Sequence, residues 1–188
     1  MNAIKQLHTR AELQAGFDEA IAGLRFVDLH VHDMPSCCGE NLALQGPDAM
    51  IDYHYLYGEV FGGLSVSAAR AKELWVMPRS ARVDWLVENS LADGCLPVSE
   101  ARLGILTAAH VLGLPTDSGD FRRVLREWRT LFADLGPARY TDRIFELAGI
   151  DQVVSTQSPF VAAECELYLR DNVLERWDPR YLCGLRWD

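Results

Sequence analysis

The chain has 188 residues, 49% hydrophobic and 24% charged, with a net charge of −9. That composition suits a globular chain with a sizeable core, and its acidic balance argues against a nucleic-acid or anionic-membrane surface. No apolar run approaches the roughly 20 residues that cross a bilayer, and the N-terminus lacks the charged-then-apolar layout of a secretory signal.

The first helix is expected from about residue 10 to 23. Thr9 and Glu12 have capping-box spacing, and Leu13, Phe17, Ala20, Ile21 and Leu24 repeat at helical intervals. Arg25 to His32 then reads as a short strand, which places Asp28, His30 and His32 on one face. Two imidazoles two residues apart near a strand end can converge on one divalent ion, with zinc as the expected metal. The plainer alternative has one histidine exposed and the other packed in the core. Residues 33–47 carry Gly, Pro, Ser and Asn and read as an excursion at the strand's carboxyl end, a common place for substrate-contacting groups.

From 48 to about 148 every pattern is helical. Asp48 is a candidate cap for a helix carrying Met50, Ile51, Tyr53, His54, Tyr55, Leu56 and Val60, stopped by Gly62-Gly63. Val66–Met77 and Val83–Leu91 follow, parted by Pro78 and closed by Gly94. Ser99 caps the next helix, which ends at Gly113 with Pro115 beyond. Phe121, Val124, Leu125, Trp128, Leu131, Phe132 and Leu135 form one stripe before Gly136-Pro137, and a shorter helix ends at Gly149. The basic residues Arg122, Arg123, Arg126 and Arg129 interleave with that stripe and read as its solvated side.

The pattern then changes. Ile150–Gln157 is a β-branched run that fits a buried strand, Ser158-Pro159 opens a helix expected to reach about Trp177, and Tyr181–Trp187 reads as a third strand. Strands separated by helices imply parallel crossovers and an α/β fold. A closed eight-stranded barrel takes roughly 250 residues, so the expectation is the N-terminal part of a larger barrel. Five cysteines, at 37, 38, 95, 165 and 183, are odd in number and irregularly spaced, which fits reduced thiols in a cytoplasmic protein. A thiolate ligand at Cys37 or Cys38 is the weaker reading, because adjacent cysteines rarely aim at one ion.

Asp28-Leu-His30-Val-His32 resembles the first-strand signature of the amidohydrolase superfamily, the metal-dependent (β/α)8 barrels. Within it the chain most resembles uronate (glucuronate) isomerase. Those enzymes are similar in following strand one with a long helical insertion that carries an early His-Tyr pair, here His54-Tyr55. Their third strand ends in Arg-Pro-Asp, approached here as Arg186-Trp187-Asp188.

The resemblance implies that His30 and His32 ligate the metal, that His54 and Tyr55 contact sugar hydroxyls and assist proton movement, and that Arg186 pairs with the substrate carboxylate. A guanidinium fork matches a carboxylate well. On pattern alone His54 and Tyr55 would be a packed helix face, and Arg186 a surface arginine at a strand end. The sequence departs from the resemblance at Trp187, at Ser155-Thr-Gln-Ser-Pro and at Cys37-Cys38.

The further metal ligands that the resemblance implies, histidines and an aspartate on later strands, are not in this sequence. Residues 1–188 are therefore expected to be the first three parallel strands of such a barrel, with the insertion at about 48–148. The implied reaction interconverts aldose and ketose uronates, of the glucuronate/fructuronate type, by metal-assisted proton transfer. The expected partner is a small-molecule sugar acid, with no nucleic acid and no membrane, and with homo-oligomers through exposed strand edges. Two rivals remain open: a metal-dependent hydrolase on the same barrel, and a non-catalytic helical binding module in which His30 and His32 are structural.

Overall fold

The computed structural model describes residues 9–39, 45–63, 65–91, 99–158, 161–167 and 172–185. Helix α1 (Arg10–Ile21) starts at its capping box: the Glu12 N–H donates to Thr9 Oγ1, and the Thr9 N–H donates to Glu12 Oε2 at 3.0 Å. Strand β1 (Phe26–Val31) follows. Between it and the next strand lie α2 (Pro47–Ile51), α3 (His54–Gly63), α4 (Ala68–Val76), α5 (Arg79–Leu86), α6 (Glu100–Val111) and α7 (Phe121–Ala148). Strand β2 (Ile150–Gln157), α8 (Ala162–Leu167) and β3 (Tyr181–Leu185) complete the order. The strands form one sheet, β1-β2-β3, parallel at both pairings, so each connection is a crossover through helices.

Two helical expectations change in detail, and a third holds. The run expected as one helix from Asp48 to Gly63 is two, α2 and α3, parted at Asp52-Tyr53. At that break the Asp52 carboxylate accepts from Arg82 Nε at 2.8 Å and Nη2 at 2.6 Å, and from the Tyr57 hydroxyl, contacts that a continuous helix would not present. The two helices expected around Gly136-Pro137 are present as the two arms of α7, which meet at a kink where the backbone is not helical. Gly136 adopts φ 72°, which a side chain resists, and Pro137 restarts the helix where a missing N–H costs nothing. Of the helix expected from Ser158 to Trp177 the described part is α8 over Ala162–Leu167, and Leu174–Arg176 is a 3₁₀ turn; residues 159–160 and 168–171 lie outside the described residues, as do Gly94 and Cys95.

The main core lies within the helical segment. Trp128 is fully buried among Ile51, Leu56, Val60, Val83 and Leu86, and its indole N–H donates across the α7 kink to the Tyr140 hydroxyl at 2.8 Å. A second cluster, Phe145, Val153 and Tyr181 with Val31 and Trp177 against it, joins α7 to the sheet. By contrast no residue of α1 is buried: Leu13 is 55% and Phe17 60% exposed, so among the described residues nothing covers the stripe. No described helix is long and apolar enough to cross a membrane.

Two buried phenols tie this packing to pH. Burial pushes Tyr140 up to about 12, with the Trp128 N–H acting in the opposite sense. Tyr181 is raised further, by burial first and then by the Asp33 carboxylate it bonds. The folded state keeps these protons after unfolded phenols, which titrate near 10, have lost theirs, so the stabilisation is intact below about pH 10 and declines above it. The expected result is a fall in urea midpoint from about pH 10 upward, on the order of 1 kcal/mol per pH unit for Tyr140 alone. Phenolate absorbance for these residues should appear above the pH at which unfolded phenols ionise, or with unfolding. Ordinary, reversible titration without unfolding would contradict it.

Candidate active site

Strand β1 sets the geometry. Asp28 pairs with Val153 and Val31 with Ser155, so β1 carries one extra residue between the two pairings. The bulge breaks the alternation expected to put Asp28 beside both histidines. Asp28 instead turns Oδ1 to accept from the His30 N–H at 3.0 Å. Val31 packs against the Phe145 cluster, and His30 and His32 on either side of it are exposed.

Both histidines are exposed, and their rings converge edge-on at 78° with the two Nε2 atoms 3.2 Å apart. Two zinc–nitrogen bonds of ordinary length at a tetrahedral angle place their nitrogens about 3.3 Å apart. The pair thus fits two ligand positions on one ion once both nitrogens are free of protons. Among the described residues no further His, Cys, Asp or Glu makes a group of three with them. Cys37 and Cys38 lie in a 3₁₀ turn beyond the strand with their Sγ atoms 4.0 Å apart, Cys38 packed against Met34 and Val173.

Tyr53 links the histidines to the helical segment. It sits in the break before α3, its ring 6.5 Å from that of His32 and 5.3 Å from that of Tyr55. Burial, then the nearby Tyr55, raises its pKa, so the phenol is a proton donor at neutral pH. The alternating tyrosines divide accordingly. Tyr53 and Tyr55 line a cavity of about 960 Å³, while Tyr57 bonds Asp52 and packs on Phe61 and Trp75.

The sheet end closes that cavity with Asp33 and Tyr181, and its wall includes Gln45 and Glu59. Gln45 Oε1 and Glu59 Oε2 are buried there with no hydrogen-bond partner among the described residues. Glu59 and Asp33 were both missed from the sequence; the signals that could have found them are the spacing of Glu59 four residues after Tyr55 on one helix face and the place of Asp33 as the next carboxylate after His32. Tyr53 and Gln45 carried no such signal. His54 opens α3, but its side chain lies outside what is described, as do Arg186, Trp187 and Asp188. The structure therefore brings together His30, His32 and, through Tyr53, Tyr55.

A crystal structure of a uronate isomerase from Bacillus halodurans C-125 is similar to this chain over 97% of its residues, with a TM-score of 0.76 and 29% sequence identity. The chain is built like part of a uronate isomerase. It spans 40% of that isomerase's chain. No family model and no curated protein matches the sequence. The likeness to the isomerase takes in the helical segment as well as the three parallel strands, since it covers all but 3% of the chain.

Proposed function

We propose that residues 1–188 supply the first three strands of a metal-dependent (β/α)8 barrel, with a helical insertion at about 48–148, that interconverts aldose and ketose uronates. The observation that carries this reading is the likeness to a uronate isomerase at 29% identity over 97% of the chain. The convergence of His30 and His32 to 3.2 Å supports its metal-binding part. Bound there, a zinc ion would act as a Lewis acid on the oxygens of the open-chain sugar.

The chain's own groups have separate tasks. Tyr53 and Tyr55 hydrogen-bond and orient the sugar hydroxyls from the cavity wall. His54 and Tyr55 carry the proton that leaves the hydroxyl-bearing carbon and arrives at its carbonyl neighbour, while the proton of that hydroxyl passes in the same direction to the neighbour's oxygen, so no co-reactant is consumed. Arg186 grips the carboxylate bidentately. The occupant is a small sugar acid, and the setting is the cytoplasm, with copies associating through strand edges.

The test is coupled reduction of the ketouronate product by the full-length enzyme, with and without chelator, across a panel of aldouronates. Turnover that chelation removes and zinc restores is the expected result. No turnover of any uronate would remove the isomerase assignment, and ¹⁸O from solvent in the product would mark hydrolysis instead.

A further inference from the structure

After Val31 the β1 backbone leaves the ladder, yet the segment carrying His32 is held on both sides by side chains of other strands. Thr156 Oγ1 donates to the Val31 carbonyl at 3.1 Å. Ser155 Oγ donates to the Asp33 carbonyl at 2.6 Å, with Met34 Sδ 3.1 Å away. From β3, the Tyr181 hydroxyl donates to Asp33 Oδ2 at 2.9 Å, while Asp33 Oδ1 accepts from the Met34 N–H at 2.9 Å. None of these bonds touches a histidine ring. They fix the peptide units on either side of His32.

The reason lies in the sheet. Ser155 is 1% exposed, and a hydroxyl that deeply buried must find an acceptor. The Asp33 carbonyl supplies it, just beyond the point where ladder bonds end. Tyr181 is buried against Phe145 and Val153, so its ring is rigid and its hydroxyl reaches Asp33 from a fixed place. A strand exit without these bonds would keep the conformational freedom of a loop. Chelation by two imidazoles tolerates only about 0.5 Å of misplacement.

We propose that Ser155 and Tyr181 are positioning residues for the His30–His32 pair, holding the His32 backbone so that its Nε2 stays within ligand spacing of that of His30. The inference rests on the metal reading above and goes beyond it by naming what sets the bite. Neither residue touches the ion. Ser155 acts through the Asp33 carbonyl, and Tyr181 through the Asp33 carboxylate that holds the Met34 N–H.

The experiment titrates the parent, Ser155→Ala, Tyr181→Phe and His32→Ala with Co²⁺ and Zn²⁺ against a chromophoric chelator. Thermal unfolding of each metal-free protein is followed alongside. Ser155→Ala and Tyr181→Phe are expected to bind 10-fold or more weakly, about what outer partners of ligands contribute, and to change the cobalt visible spectrum. Tyr181→Phe keeps the ring's packing and decides the matter if Ser155→Ala fails to fold. Thr130→Val, which removes an exposed α7 hydroxyl bonded to the Arg126 carbonyl, should bind as the parent does. Parental affinity in both variants, with or without a lowered melting temperature, would overturn the inference while His32→Ala still loses the ion. A parent that binds no ion would overturn the metal reading itself, and the inference with it.

Discussion

Replacing His30 and His32 by alanine, singly and together, is expected to give three proteins that lose the ion and fold as well as the parent. Both side chains are exposed; the two rings meet each other, and His32 also faces the Tyr53 ring. Exposed truncations of this kind stay within about 0.5 kcal/mol in stability. The effect on metal should be large and non-additive. With the two Nε2 atoms 3.2 Å apart, one ion takes both, and deleting either leaves a single monodentate ligand. Each single variant should therefore lose nearly what the double loses, a coupling that a double-mutant cycle on the dissociation constant measures directly. Metal content after equilibrium dialysis should fall in step with the loss of affinity. Additive losses, or none, would mean the rings act separately, as a helical binding module with structural histidines requires.

How much of this was legible depends on the range of the interaction involved. Thr9–Glu12, Ser99 and the Gly149 stop are local, and the elements they bound lie where the pattern put them. Strand β2 is central and matches its β-branched run, Ile150–Gln157. The His-x-His pair was legible as chemistry. The bulge that turns Asp28 away was not, because it exists only in the pairing with Val153 and Ser155.

Tyr53 was missed as a site residue for a related reason. Its place depends on a helix break held by Arg82, 30 residues further on, which no local pattern reports. Ser155 and Tyr181 belong to the same class, since their bonds to Asp33 span 122 and 148 residues and require the strand order to be known first. The α1 stripe inverts the lesson: its amphipathic pattern correctly called a helix, yet Phe17 is exposed, because a pattern names the face to be buried and not what covers it.

That helix break carries the largest stability effect expected for a single side chain. The Asp52 side chain is 7% exposed and takes both nitrogens of Arg82 in a fork, the Tyr57 hydroxyl, and Arg79 Nε at 3.4 Å. Arg82 in turn donates to the Met77 carbonyl at 2.8 Å and lies over the Trp75 ring. Asp52→Ala would strand a guanidinium only 14% exposed together with a buried phenol, a loss of about 3–5 kcal/mol. Against a total stability of about 5–15 kcal/mol, that leaves a protein partly unfolded at modest urea. Replacing both partners removes the stranded charge, so Asp52→Ala with Arg82→Met should be more stable than Asp52→Ala alone, although two contacts have gone. The urea midpoints of the two singles and the double decide this. If the double is as weak as the sum of the singles, the pair does not hold the break, and Tyr53 owes its place beside His32 to something else.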